Sequence, residues 1–194
     1  MFTGLAGVYA AALDESADTP KYSEGFRVGA GMLVSVQPQY AEGSVYGDNR
    51  RVKYKKRFKN ANVTLGTASL PVIANKVMFG KTVEEGKPIV SNIRDESKYV
   101  GLGLYATEEA EDDGATKYTA VWLYKVKFDE PGDDFETEGE NMVFKTPSLT
   151  GVADALKNGD WREKQSFASE AEAVAWIKGK AGITETTTTS TTTE

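Results

Sequence analysis

Cysteine and histidine are both absent from this chain of 194 residues. The first absence excludes a disulfide framework and any thiolate metal site, and it leaves the redox compartment undefined. The second removes the commonest general base and the commonest metal ligand together. Long apolar runs are missing too. The N-terminal stretch MFTGLAGVYAAALDE is apolar, but no basic region precedes it, and it falls well short of the roughly 20 residues that span a bilayer. The expectation is a soluble protein, folded where it is made, with no membrane contact and no cofactor.

What is present favours strands. There are 19 Gly and nine Tyr, and Val and Thr are frequent, a composition that suits strands joined by tight turns. At 40% hydrophobic, the chain is long enough for one domain that buries roughly 70% of its unfolded surface. From Gly25 the pattern has period two: Phe26, Val28, Ala30, Met32, Val34 and Val36 form one set, the predicted core face. Pro38 is expected to end this strand because it lacks a ladder donor. QYAEGSVYGDN then reads as a loop, and ANVTLGT as a short strand with Val63 and Leu65 on one side.

Further on, ASLPVIANKVMFGK breaks the alternation. It predicts a short helix capped by Ser69 and stopped by Gly80, with Ile73, Val77 and Met78 buried. EEGKPIVSNIRDES reads as an exposed loop. KYVGLGLYATEE and KYTAVWLYKVKF predict a hairpin. Val100, Leu102 and Leu104 share one face of the first strand; Tyr118, Ala120, Trp122, Tyr124, Val126 and Phe128 share one face of the second. The connection EEAEDDGAT supplies Asp-Gly turn chemistry and five carboxylates. DEPGDDFETEGE reads as a second acidic loop, while NMVFKTPSLTG and DWREKQSF are strand candidates. SEAEAVAWIKGKAG predicts a helix, with a capping box from Ser169 to Glu172, a stripe containing Val174, Ile177 and Ala173, and Gly179 at its end. The predicted domain is 1–182, followed by a Thr-rich tail or linker, 183–194, that lacks the apolar side chains to fold alone.

No enzyme motif emerges. GLGLYA holds Gly-x-Gly without a third Gly and in a strand, where glycines more often mark a close backbone approach. The acidic loops lack the spacing of a calcium loop, and no nucleophile elbow occurs. Trp122 and Trp161 are candidate platforms for a carbohydrate-binding β-sandwich module, the alternative function, although core packing is the commoner fate of a tryptophan.

One segment stands apart. Residues 50–59 carry seven cations, and without them the chain has sixteen cations against 29 carboxylates, a balance of −13. As a strand, this segment lines up Arg51, Lys53, Lys55, Arg57 and Lys59 in a stripe roughly 27 Å long. Val52, Tyr54 and Phe58 take the other face. Three readings compete: a solvated edge strand protected from pairing by Lys, a subunit contact in which the stripe meets acidic loops of another copy, and a nucleic-acid contact. The subunit contact is preferred, because the rest of the chain repels phosphate at long range.

The stretches GLAGVYAA, VYGDN, VTLGTASLPVIANKVMFG, YVGLGLY, KYTAVWLYKVKF and ENMVFKTPSLTG occur in this order across about residues 4–151. Together they resemble the major tail protein family of long non-contractile-tailed phages. The resemblance implies a mainly β (α+β) fold, a tail-tube-like β-sandwich or barrel with a packed short helix and a C-terminal helix. It also implies hexameric rings stacked into a tube through which DNA passes without specific binding. The implied partners are other copies of the chain and the tape measure, tail terminator and distal tail proteins. The implied location is the virion tail, assembled in the host cytoplasm, with no catalytic residues. Tyr46, Asp48 and Asn49 match the family's Tyr-x-Asp-Asn pattern, in the place of a long loop that contacts a neighbouring ring. The basic stripe departs from an expected acidic lumen, so it is expected to face protein.

Overall fold

Alternating β-branched and aromatic residues drive most of the chain into antiparallel strands. A computed structural model describes residues 2–17, 19–109, 115–132 and 146–183. In chain order these form β1 (Phe2–Asp14), β2 (Lys21–Arg27), β3 (Gly31–Gly47), β4 (Arg50–Thr67), α1 (Val72–Val77), β5 (Tyr99–Glu109), β6 (Thr116–Phe128), β7 (Ser148–Asp154), β8 (Arg162–Phe167) and α2 (Glu170–Lys180). The strands make one sheet in the order β2-β1-β5-β6-β7-β4-β3, with β8 added to β6. The fold is mainly β.

The sheet forks along β6. Tyr118–Leu123 pair with β8, whereas Lys125–Phe128 pair with β7. It also curls. β1 and β3 are far apart in the strand order, yet a Cβ on Gly31 would lie 2.7 Å from Val8. Curling encloses a core of Val8, Ala10, Val63, Leu65, Leu102, Leu123, Phe128 and Leu149, which α1 closes with Ala74, Val77 and Met78. The opposite faces of β1, β5 and β6 bear a second cluster, Tyr9, Ala11, Tyr105, Ala120 and Trp122, covered by Ala173 and Ile177 of α2.

Several expectations are corrected. The predicted strand from Gly25 is two strands, because Gly29 turns the chain at φ +52°. Met32 and Ala30 are consequently exposed, while Phe26 and Val28 are buried. Pro38 does not end β3, since β3 pairs only with β4 and an edge strand tolerates the missing donor. QYAEGSVYG is therefore strand, not loop. In α1 the cap position is Pro71, with no side-chain cap; Ser69 instead accepts a hydrogen bond from Thr67 Oγ1 through its carbonyl (2.8 Å). Ile73 is exposed and Ala74 takes its buried place.

In β6 an irregularity opposite β5, between Val100 and Leu102, moves Val126 and Phe128 onto the face of Val121 and Leu123. Ser169 caps α2 as predicted, accepting from Glu172 N–H (3.3 Å). Gly179, however, lies inside that helix, and Gly182, at φ +66°, follows its end. The chain from Lys81 to Lys98 has no strand or helix, as the loop reading expected. The acidic turn at 110–114, residues 133–145 and the tail beyond Ile183 lie outside the described residues. Ile183 itself packs on the second cluster.

Candidate assembly surface

The two-residue step Asp48-Asn49 makes one hairpin of the features expected to be a separate loop and stripe. Both residues have positive φ, 49° and 57°, the geometry of a type I′ turn, which suits the strand twist and which Asp and Asn tolerate. β3 and β4 pair from Gly31↔Thr67 out to Gly47↔Arg50. β7 covers β4 only at Ala61–Gly66. Beyond that point Tyr40–Gly47 and Arg50–Phe58 continue as a bare two-stranded ribbon. Eight residues at about 3.4 Å give an arm about 27 Å long. Of its side chains only Phe58 is half-buried. Tyr46, Asp48, Asn49 and the basic residues all belong to this arm.

Register corrects which cations share a face. Pairing shifts between Gln39 and Tyr40, and again between Val45 and Tyr46, so Lys59 and Val52 have no partner residue. Each extra residue reverses the alternation. Residues directly opposite share a face. One face of the arm therefore holds Tyr40, Glu42, Ser44 and Tyr46 with Phe58, Lys56, Tyr54 and Arg51. The other holds Ala41, Gly43, Val45 and Gly47 with Arg57, Lys55, Lys53 and Arg50. Of the expected five, only Lys53, Lys55 and Arg57 align. Arg51 crosses to the aromatic face, Lys59 sits in a bulge, and Arg50 joins the cationic face.

The aromatic face is continuous with half-buried Val34, Val36 and Pro38 on the core side of β3. Trp161 stacks on Phe58 (4.7 Å, 19°), and Tyr40 meets Phe58 edge-on (6.2 Å, 82°). Lys56 lies 4.5 Å from the Tyr40 ring centre and 3.0 Å from Glu42. Hydrogen bonding to Lys56 holds the Glu42 carboxyl below the usual range, and the same bond raises Lys56. Arg51 sits 4.8 Å from the Tyr54 ring centre. On the cationic face the opposing residues are small, and Arg50, Lys53, Lys55 and Arg57 form no ion pair among the described residues.

The tryptophans divide differently from the platform reading. Trp122 is fully buried, edge-on to Tyr22 at 5.0 Å. Its indole explains GLGLYA: a Cβ on Gly101 would stand 2.5 Å from Trp122 and from Tyr22, and one on Gly103 2.6 Å from Ile177 and 2.8 Å from Trp122. These glycines let an indole lie flat on β5, as the close-approach reading expected. Trp161 is half-buried, between Phe58 and Arg162, whose guanidinium is 4.3 Å from its ring centre. Parity put Tyr54 and Phe58 on one face and Trp161 was a candidate platform, but the joining of these side chains with Tyr40, and the hairpin turn behind it, were missed. The signal for them was two apolar-alternating runs meeting at a two-residue Asp-Asn step.

Among the described residues no group of three or more acidic side chains is placed to hold a metal ion. Among them also, no helix is long and apolar enough to cross a membrane. No protein-family model matches the chain, and no curated protein matches it either.

Proposed function

We propose that the chain is a structural subunit that assembles with its own copies into stacked rings, the tail tube of a long non-contractile-tailed phage. The observation that carries this reading is the arm. A two-stranded ribbon is marginal in water by itself, and this one leaves Tyr40, Val45, Tyr46, Val52 and Tyr54 exposed. Covering such side chains contributes about 1.5–3 kcal/mol each for full burial. A neighbouring copy supplies that cover and anchors the arm through Tyr46 and the aromatic face.

The cationic face contributes selectivity. The rest of the chain carries a balance of −13, so a second copy offers acidic surface in abundance, whereas phosphate is repelled at long range. On this reading Lys53, Lys55, Arg57 and Arg50 face protein, and DNA passes through the lumen without specific binding. Six copies per ring, the tape measure, terminator and distal tail partners, the virion tail location and the absence of catalysis follow from the family resemblance. Negative-stain microscopy and sedimentation of the purified chain over rising concentration, with and without the other tail components, test the proposal. Rings or tubes are expected; monomers under every condition refute it.

A further inference from the structure

The arm and another apolar feature leave the sheet in opposite directions. At the arm's root Ala61 pairs with Ala153, which pairs with Val126. Past that root β4 runs on to Thr67, whose N–H donates to Pro147 O (3.1 Å), and leads into α1, while β5 begins with Tyr99 opposite Lys127, one residue beyond the level of the root. The segment 82–97 joins α1 to β5 on that side of the root. The arm extends the other way from the root, toward Gly47 and Arg50, so its tip lies away from the segment of its own copy.

The segment has no regular structure, yet it is braced. Buried Lys81 pairs with Glu130 and donates to Ser91 Oγ (2.9 Å). Lys127 holds Glu96 at 3.0 Å. Asn92 N–H donates to Asp95 Oδ2 (2.7 Å), and Arg94 N–H donates to Asn92 Oδ1 (3.0 Å). This bracing presents Val90 and Ile93 to solvent, 67% and 101% exposed, beside a cavity of about 540 Å³ lined by Thr82, Pro88, Val90 and Asn92. The segment carries four carboxylates against two cations, and Glu85 has no partner among the described residues. The arm's tip is the complement. Val45, Tyr46 and Val52 are 60%, 69% and 67% exposed and are flanked by Arg50, Arg51 and Lys53.

We infer that the tip of the arm of one copy seats on the braced 82–97 segment of the next. The tip enters end-on, so that Val45 and Tyr46 from its two faces and Val52 from its bulge all reach the patch of Val90 and Ile93, and the tip cations face Glu85. The contact joins two different patches, so it is heterologous and repeats head to tail. It rests on the assembly reading above and names the surface that receives the arm.

The lack of native cysteine makes a direct test clean. Val45→Cys copies are mixed with Ile93→Cys copies under mild oxidation, and Val45→Cys with Ala175→Cys on α2 is the control. Since a disulfide needs Cα atoms about 4.4–6.8 Å apart, the first mixture should give about tenfold more cross-linked pairs than the control. Ile93→Asp provides a second readout, because that fully exposed side chain has no role in the fold. Support comes from the link, or from lost assembly in Ile93→Asp at an unchanged melting temperature. Assembly with no link and no effect of Ile93→Asp overturns the docking surface and leaves the assembly reading standing. If the parent chain neither assembles nor yields the link, both fall.

Discussion

Reversing the cationic face, by Lys53→Glu, Lys55→Glu and Arg57→Glu together, separates assembly from folding. The three side chains are exposed, stand opposite Val45, Gly43 and Ala41, and have no ion pair among the described residues. The isolated chain therefore loses almost nothing, and surface changes of this kind usually stay within about 0.5 kcal/mol. The variant's formal charge moves from −6 to −12. Each site loses an exposed attraction of up to about 1 kcal/mol toward an acidic neighbour and gains a comparable repulsion. Over three sites the cost is about 1–6 kcal/mol, roughly fivefold to ten-thousandfold in the association constant. Sedimentation measures that loss, and thermal melts at low concentration report the fold. In 1 M salt the Debye length shrinks to about 3 Å, so most of the loss should be recovered. The charge-preserving variant with Lys53→Arg, Lys55→Arg and Arg57→Lys should assemble normally. Unchanged assembly of the triple Glu variant at low salt refutes the reasoning, as does a large fall in the monomer's melting temperature.

Three further outcomes follow. Gly103→Ala forces a methyl into Ile177 and Trp122 and should cost about 1–3 kcal/mol through overpacking, seen as a lower denaturation midpoint with an unchanged slope. Glu163 accepts from Lys180 (2.7 Å) and from Tyr124. The Lys180 bond, then the Tyr124 bond, hold its carboxyl below the ordinary 4.5. The unfolded chain thus takes up this proton first on acidification, and stability is lost as pH falls below about 4.5; Glu163→Gln should flatten that part of the stability–pH curve. Deleting residues 184–194 should leave assembly unaltered when scored by microscopy, since that Thr-rich run has little apolar surface to bury.

Strands whose two faces carry different residue types were legible in the sequence, and those whose faces are alike were not. β5 and β6 announce themselves by period two, and α2 by its cap. β1 does not, because Val8, Tyr9, Ala10 and Ala11 are all buried. A strand covered on both faces reads as an uninterrupted apolar run, which prompted a membrane question in place of a strand assignment. Pro38 misled for a related reason: its meaning depends on whether the strand lies at an edge, and strand order is not written locally. The arm was legible as chemistry but not as shape. Its cations and Tyr46, Asp48 and Asn49 were singled out, yet as two features, and the bulges at Val52 and Lys59 redistributed the stripe. An extra residue in one strand is visible only once its partner is known.

The charge distribution has a consequence for orientation in the proposed assembly. Two copies of an acidic body repel each other in most relative poses. With seven cations gathered into residues 50–59, the poses that bring net attraction are those that lay one arm on another body. The aromatic face offers binding energy but little discrimination, because burial of Tyr and Val is indifferent to direction. The cationic face offers the reverse: exposed pairs contribute little energy each, yet like-charge poses are penalised. Placing the two on opposite sides of one thin ribbon lets a single element supply both. The bulge at Val52 puts Arg51 among the tyrosines while Lys53, Lys55 and Arg57 stay together, so the segregation is a product of register and not of sequence alternation alone.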